Sequence, residues 1–328
     1  MSEMHFVILA LALLLDRYVG DPDWLWRKYP HPVVWFGKAI EAAEKALYPE
    51  QGTPAQKKRA GVLLIVSLVI AGWVAAGFAS RVLSLFGSIG TIVEVAMVAV
   101  LLAQKSLSDH VDAVRQGLET DGIEGGRKAV AMIVGRDVKT LDKTGVSRAA
   151  IESLAENTSD GVVGPVLAYM VFGLPGLIAY KIINTADSMI GHKSDRYLDF
   201  GWASARLDDL VNLIPARFTG LLACGAFAWV EGRQVATRAF AVMRRDAKLH
   251  KSPNAGWPES AFAGGLDIAL GGPRAYAKGA KGNMSDAPYL NDAGDKKFGV
   301  AAIVKALFVY DRLLWLLFGV TLILASLA

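Results

Sequence analysis

Residues 152–180 read ESLAENTSDGVVGPVLAYMVFGLPGLIAY. From Val162 to Ile183 the chain is long and apolar enough for one bilayer crossing, yet GLPG at residues 173–176 interrupts it, and Gly with Pro punctuates a helix strongly. Each half then has about 10 residues, roughly 15 Å of helix, which reaches about halfway through the hydrocarbon core. That length favours a helical hairpin that enters and returns, with its turn near residues 174 and 175, a shape tolerated at membrane depth when buried in protein. A single kinked span is the other reading. In a hairpin, Asp160 lies opposite the neighbourhood of Asp187. On the upstream side, a continuing helix stacks Glu152, Glu156 and Asp160 at i, i+4 and i+8 on one face, where like charges repel.

The surrounding chain supports a membrane setting. Its 328 residues are 53% apolar and 20% charged, too little charge for disorder and too much for a protein wholly immersed in lipid. The net charge is +4 and the Lys and Arg are scattered between apolar runs, which fits juxtamembrane placement and excludes a nucleic-acid partner. One cysteine, Cys224, excludes disulfides, Cys-rich zinc sites and CxxC redox chemistry, and five dispersed histidines form no helical zinc motif. Ala60 to Leu85, Ile89 to Leu107 and Ala301 to Ala328 read as full spans. Phe6 to Leu15 is short for one, Leu213 to Val230 is weakened by Pro215 and Arg217, and the first helix is read as uncleaved. The expected fold is all-α: a polytopic α-helical integral membrane protein, one membrane-embedded domain over residues 1–328, with a re-entrant or broken helix pair.

Two polar stretches, 105–160 and 233–300, carry Lys105, Arg115, Arg127, Lys128, Arg136, Lys139, Lys143 and Arg148, then Arg233, Arg238, Arg244, Arg245, Lys248 and Lys251. The positive-inside rule puts both in the cytoplasm. A hairpin followed by a full crossing at Leu213 conflicts with that, so either the Leu213 segment does not cross or the GLPG segment does.

Polar motifs gather at the ends of the apolar runs. Asn184 and Asp187 in NTADSMIG stand at i and i+3; ARLDDLVN places Arg206, Asp208, Asp209 and Asn212 on about two turns. Magnesium takes one or two carboxylates and completes its shell with water and phosphate. Asp160 and Asp187, with Asn157 and Asn184, offer that set, while Lys193, Arg196 and Arg206 suit phosphate oxygens. Ionisable groups beside apolar segments rarely stand there without a task. GxxxxGK[ST] and GxGxxG are both absent, so a nucleotide site would be unorthodox. In the Pro-rich loops 20–38 and 250–276, His31, Asn254 and Trp257 are held on shaped turns.

These motifs, taken in order, carry a family resemblance: GDPDW, PHPVVWFGK, MIVGRDVKTLD, SRAAIESLAENTSDGVVGP, GLPGLIAYKIINTADSMIGHKSDRY, FGWASARLDDLVNLIPARFTG and SPNAGWPESAFAGGL. The chain resembles adenosylcobinamide-phosphate synthase, the CobD/CbiB family of integral membrane enzymes in cobalamin biosynthesis. It departs at MSDAPYLND, residues 284–292, where the family reads closer to Pro-x-Leu-Gly-Asp. The resemblance implies amide formation between adenosylcobyric acid and aminopropanol phosphate, or free aminopropanol, with ATP as co-substrate and Mg2+ required, at the cytoplasmic face of a bacterial inner membrane. For that chemistry we expect Asp160 and Asp187 to hold magnesium, Glu152 or Glu156 to deprotonate the ammonium nucleophile, and Arg206 with Lys193 or Arg196 to grip phosphate. Asn157, Asn184, Asp208, Asp209 and Asn212 would position substrates, and His31, Asn254 and Trp257 would contact corrinoid or aminopropanol. Expected partners are the two substrates, the bilayer, and a second copy or other membrane enzymes of the pathway. The rival readings are a small-molecule transporter and a non-catalytic regulator of the same superfamily.

Overall fold

A computed structural model describes residues 3–135, 137–273 and 287–327. Arg136 of the basic set, the end of the 250–276 loop and the first residues of MSDAPYLND lie outside the described residues. In chain order the helices are α1 Glu3–Tyr18, α2 Asp23–Trp26, α3 Pro32–Leu47, α4 Pro54–Ser84, α5 Gly87–Leu101, α6 Gln104–Thr120, α7 Gly122–Val130 and α8 Lys143–Asn157. A π-helical segment, Thr158–Val163, leads into α9 Gly164–Ile190, followed by α10 Tyr197–Phe200, α11 Trp202–Val211, α12 Leu213–Glu231, α13 Arg233–Asp246, α14 Gly256–Leu266 and α15 Val300–Leu327. Two short strands, β1 Leu270–Gly271 and β2 Tyr289–Leu290, pair antiparallel with Leu270 opposite Leu290.

The fold is therefore all-α and polytopic. Five helical stretches are long and apolar enough to cross a bilayer: Pro54–Ser84, Gly87–Thr120, Lys143–Ile190, Leu213–Glu231 and Val300–Leu327. The expected run from Ile89 to Leu107 is divided, because α5 ends at Leu101, Leu102 is extended and α6 resumes at Gln104. Pro215 falls in the first turn of α12, where a missing N–H has no helical partner to lose, so it does not break the span.

The chain forms two compact units. The first takes residues 1–103, 164–212 and 321–328; the second takes 104–163 and 213–320. In the first unit the GLPG segment is a hairpin. Gly173 has φ 65° and ψ −154°, a conformation essentially reserved for glycine, and α9 folds back there. A Cβ on Gly164 would strike the Tyr180 hydroxyl, and one on Gly176 would strike the carbonyl oxygen of Ala168. In a straight helix residues 164 and 180 would be about 24 Å apart. The reversal sits at Gly173 rather than at 174 and 175, and the returning arm is the longer one, running to Ile190.

Small residues let α4 lie against that returning arm. Gly61 abuts the Phe200 carbonyl, Gly72 meets Ile178 and Ile182, and Gly77 faces Pro175. Around them Ile40, Leu64, Ile65, Ile183 and Phe200 are buried together. A capping box starts α4: Thr53 accepts from the Gln56 N–H at 3.3 Å and the Gln56 side chain accepts from the Thr53 N–H at 2.8 Å.

The second unit holds both polar stretches read from the sequence. Its α12, α13 and α14 pack closely, with Gly264 against Val242 and Gly265 against the Phe227 ring. Asp246 is buried, yet its carboxyl stays below the usual carboxylate range: burial pushes it up, but Arg245 and the backbone N–H of Asn291, at 2.7 Å, override that. Cys224 lies buried within α12. The π segment changes one expectation: Asp160 does not continue the α-helical face of Glu152 and Glu156, because the ladder widens after Asn157.

Gly173→Ala is expected to destabilise the protein by about 1–3 kcal/mol, the strain of a non-glycine residue in that conformation. Thermal unfolding in detergent checks it, with Gly319→Ala as control: Gly319 meets nothing within 4 Å, and its midpoint should hold or rise slightly.

Candidate active site

In the first unit, NTADSMIG and ARLDDLVN come together. Asn184 projects from the returning hairpin arm and its amide donates to Asp208 Oδ1 at 3.3 Å. Asn212 donates to Asp208 Oδ2 at 3.0 Å, and its own Oδ1 accepts from the Tyr180 hydroxyl at 2.6 Å. Tyr180, Asn212, Asp208 and Asn184 thus form a chain of hydrogen bonds closed off from solvent at Tyr180, Asn212 and Asp208. Burial, then the charge of Asp187, push the Asp208 carboxyl up to about 6, against the two amide donors. Asp209 is raised by burial, against the opposing charges of Arg206 and Lys193. Arg206 Nη1 is 3.7 Å from Asp209 Oδ2 and mostly exposed.

Two sequence candidates of this unit are engaged elsewhere. Arg196 bonds Glu44 through Nε at 2.9 Å and stacks over Tyr48 at 4.1 Å, while Tyr197 donates to the same carboxylate. His31 caps α3, with Nδ1 accepting from the Val33 N–H at 3.3 Å, and its Nε2 lies 3.4 Å from Asp21, which also holds Trp26 Nε1.

In the second unit, ENTSDG and HKSPNAGWPES share a cavity of about 320 Å³, lined by Glu152, Glu156, Asn157, His250, Lys251 and Glu259 among others. Glu152 is buried and accepts from the Gly271 N–H at 2.7 Å, tying α8 to β1. Glu156 and Asn157 are exposed, and the Asn157 amide donates to Ser153, at 2.9 Å to its carbonyl and 3.1 Å to its hydroxyl. His250 Nε2 lies 3.8 Å from Glu259 Oε1. Asn254 is buried; its carbonyl accepts from the Trp257 N–H, and Arg217 stacks on the Trp257 ring at 4.6 Å. Asp160 is half-buried on the π segment.

Sequence reasoning missed Tyr180, His250 and Glu259. The second pair falls inside a stretch already marked by its prolines; Tyr180 is hidden in an apolar run. Among the described residues no three His, Cys, Asp or Glu gather into a self-sufficient metal site. Oxygen donors around a carboxylate disturbed by its neighbour, Asp187 beside Asp208, suit a hard divalent cation that completes its shell with water or phosphate.

Known proteins resemble this chain along nearly its whole length. The family profile described as CobD/Cbib protein matches residues 9–310. A cobalamin biosynthesis protein CobD of Brucella anthropi is 54% identical over 320 residues, covering 98% of this chain and 97% of that protein. That of Rhizobium meliloti is 53% identical over 311 residues, 94% of each. A more distant one, from Rhodobacter capsulatus, is 42% identical over 333 residues, 99% of this chain and 98% of its own. No solved structure matches the chain. With the profile spanning both units and relatives above half identity end to end, the chain belongs to the CobD/CbiB family.

Proposed function

We propose that this protein joins the carboxylate of a corrinoid, adenosylcobyric acid, to aminopropanol phosphate or aminopropanol in an ATP-dependent amide synthesis. The observation that carries the reading is the meeting of NTADSMIG and ARLDDLVN around buried Asp208, with Arg206 paired to the adjoining Asp209. The name shared by the relatives supports a corrinoid pathway.

A carboxylate is a poor acyl donor. Its oxygen attacks the γ-phosphorus of ATP, ADP leaves, and the acyl phosphate is then attacked by the amine nitrogen, expelling phosphate. Such steps need charge neutralisation and alignment more than covalent help. Lys193 and Arg206 are exposed cations suited to polyphosphate, whereas the Arg196 charge is already met by Glu44. Asn184 and Asn212 hold Asp208 in one orientation. Asp187 in the first unit and Asp160 in the second are each carried forward as candidate magnesium ligands; the ion, when bound, would offset phosphate charge. Of the two glutamates, Glu156 is the better base for the ammonium proton, since a Glu152 oxygen already holds the Gly271 N–H.

Asp187→Asn and Asp160→Asn are each expected to lower kcat by about 100-fold or more while the protein still folds. Purified protein in detergent, given adenosylcobyric acid, aminopropanol phosphate and magnesium ATP, is assayed for the corrinoid amide by chromatography. Full rates in both variants would refute the metal assignment, and no product from the wild type would refute the reaction.

Asp208 accepts the Asn184 and Asn212 amides as a carboxylate and would position substrate in that form, so the rate at low magnesium should fall as pH drops through about 6. Tyr180→Phe removes the donor that fixes Asn212. With a weaker bond from Asn212 the ionised form of Asp208 is less favoured, so the acid limb should move to higher pH, with kcat down about tenfold and KM little changed. An unmoved limb would reduce Tyr180 to packing.

A further inference from the structure

The hairpin turn borders a second cavity in the first unit, of about 300 Å³, with which the proposed chemistry has no connection. Its polar lining is His5 of α1 and Ser80, Arg81 and Ser84 of α4; its apolar wall includes Gly77, Phe172 and Pro175. Arg81 is exposed and forms no ion pair among the described residues. Glu94, a buried carboxylate of α5, is directed into the hydroxyls of Tyr169 at 2.8 Å and Ser80 at 3.4 Å and does not line the cavity. The cavity therefore presents one cation without an ion pair and an imidazole, while the protons of Ser80 and Ser84 are already given to Glu94 and to the Arg81 carbonyl. That set suits a singly charged phosphate ester.

Depth and surroundings identify the source. Lys57, Lys58 and Arg59 stand at the start of α4, and Arg81 follows Arg59 by 22 residues, about 33 Å of helix, close to the roughly 30 Å of a hydrocarbon core. The guanidinium thus stands at the headgroup level of the leaflet opposite the basic cluster. Below it the exposed face of α4 is apolar: Ile70, Trp73, Val74 and Phe78 are 58%, 40%, 64% and 71% exposed. Trp73 and Gly77 lie directly under Arg81 at helical spacing, and Trp73 meets Phe172 of the hairpin at 5.5 Å. A molecule seated here meets a cationic polar pocket at its head and a continuous apolar strip beneath.

We propose that this cavity binds the phosphodiester of a phospholipid, with Arg81 pairing its charge, His5 donating a hydrogen bond to one of its oxygens, and the acyl chains lying along α4. The bound lipid would pack against Phe172 and Pro175, on either side of the turn at Gly173.

Native mass spectrometry of the full-length protein, delipidated in detergent and titrated with phosphatidylglycerol, tests this. The wild type should retain one lipid. Arg81→Ala should bind about tenfold more weakly, and Arg81→Lys should stay near wild type. Gly77→Leu fills the pocket without altering charge; its Cβ meets only Pro175, at 3.8 Å, and it should also lose the lipid. Equal retention by wild type, Arg81→Ala and Gly77→Leu would overturn the site. Arg81→Lys binding no better than Arg81→Ala would overturn the charge assignment. Displacement of the lipid by millimolar inorganic phosphate would make it a soluble-anion site instead.

Discussion

A helix that reverses inside an apolar layer strands its last carbonyls and first N–H groups, and in hydrocarbon each stranded group costs several kcal/mol. Gly173 answers this constraint in the first unit. It supplies a backbone conformation closed to other residues, it is itself buried, and Pro175 removes one N–H from the first turn of the returning arm. The arms then close until Gly164 touches the Tyr180 hydroxyl. Tyr180 is where this architecture meets chemistry: the same hydroxyl fixes Asn212, which fixes Asp208. The position of the Asp208 carboxylate is thus traceable to one glycine about ten residues along a helix arm.

The polar clusters are held chiefly by amides and hydroxyls rather than by fixed counter-ions. Asp208 is bound by two side-chain amides, so its environment leaves negative charge undercompensated, as its raised proton affinity records. Arg196 is the contrasting case, close in sequence to Lys193 yet neutralised by Glu44 and flattened on Tyr48. The difference sorts a cation already neutralised inside the fold from cations left exposed at its surface.

Much of this was legible in the sequence because the signals are local. The hairpin follows from two glycines and a proline inside a run too short to be two spans, and NTADSMIG and ARLDDLVN are each marked by polar residues at the ends of apolar segments, although their pairing with one another is not. The illegible parts are of two kinds. Some breaks carry no punctuation: Leu102 is extended with neither Gly nor Pro beside it, and the π segment at Thr158 is written only in a run of weak helix formers, Asn157 to Gly161. Other features are long-range pairings that no spacing rule reaches, such as Arg196 with Glu44 across 152 positions and Glu152 with the Gly271 backbone across 119. The division into two units interleaved along the chain belongs to the same class.

The solitary thiol has a practical corollary. Cys224 is only 8% exposed, and a thiol so enclosed reacts slowly with polar alkylating reagents. The natural protein is therefore already a nearly silent background for site-directed labelling. Single reporter cysteines introduced into the loops, probed with a membrane-impermeant maleimide on intact cells and on inverted vesicles, can assign each loop to a compartment without first removing the native residue.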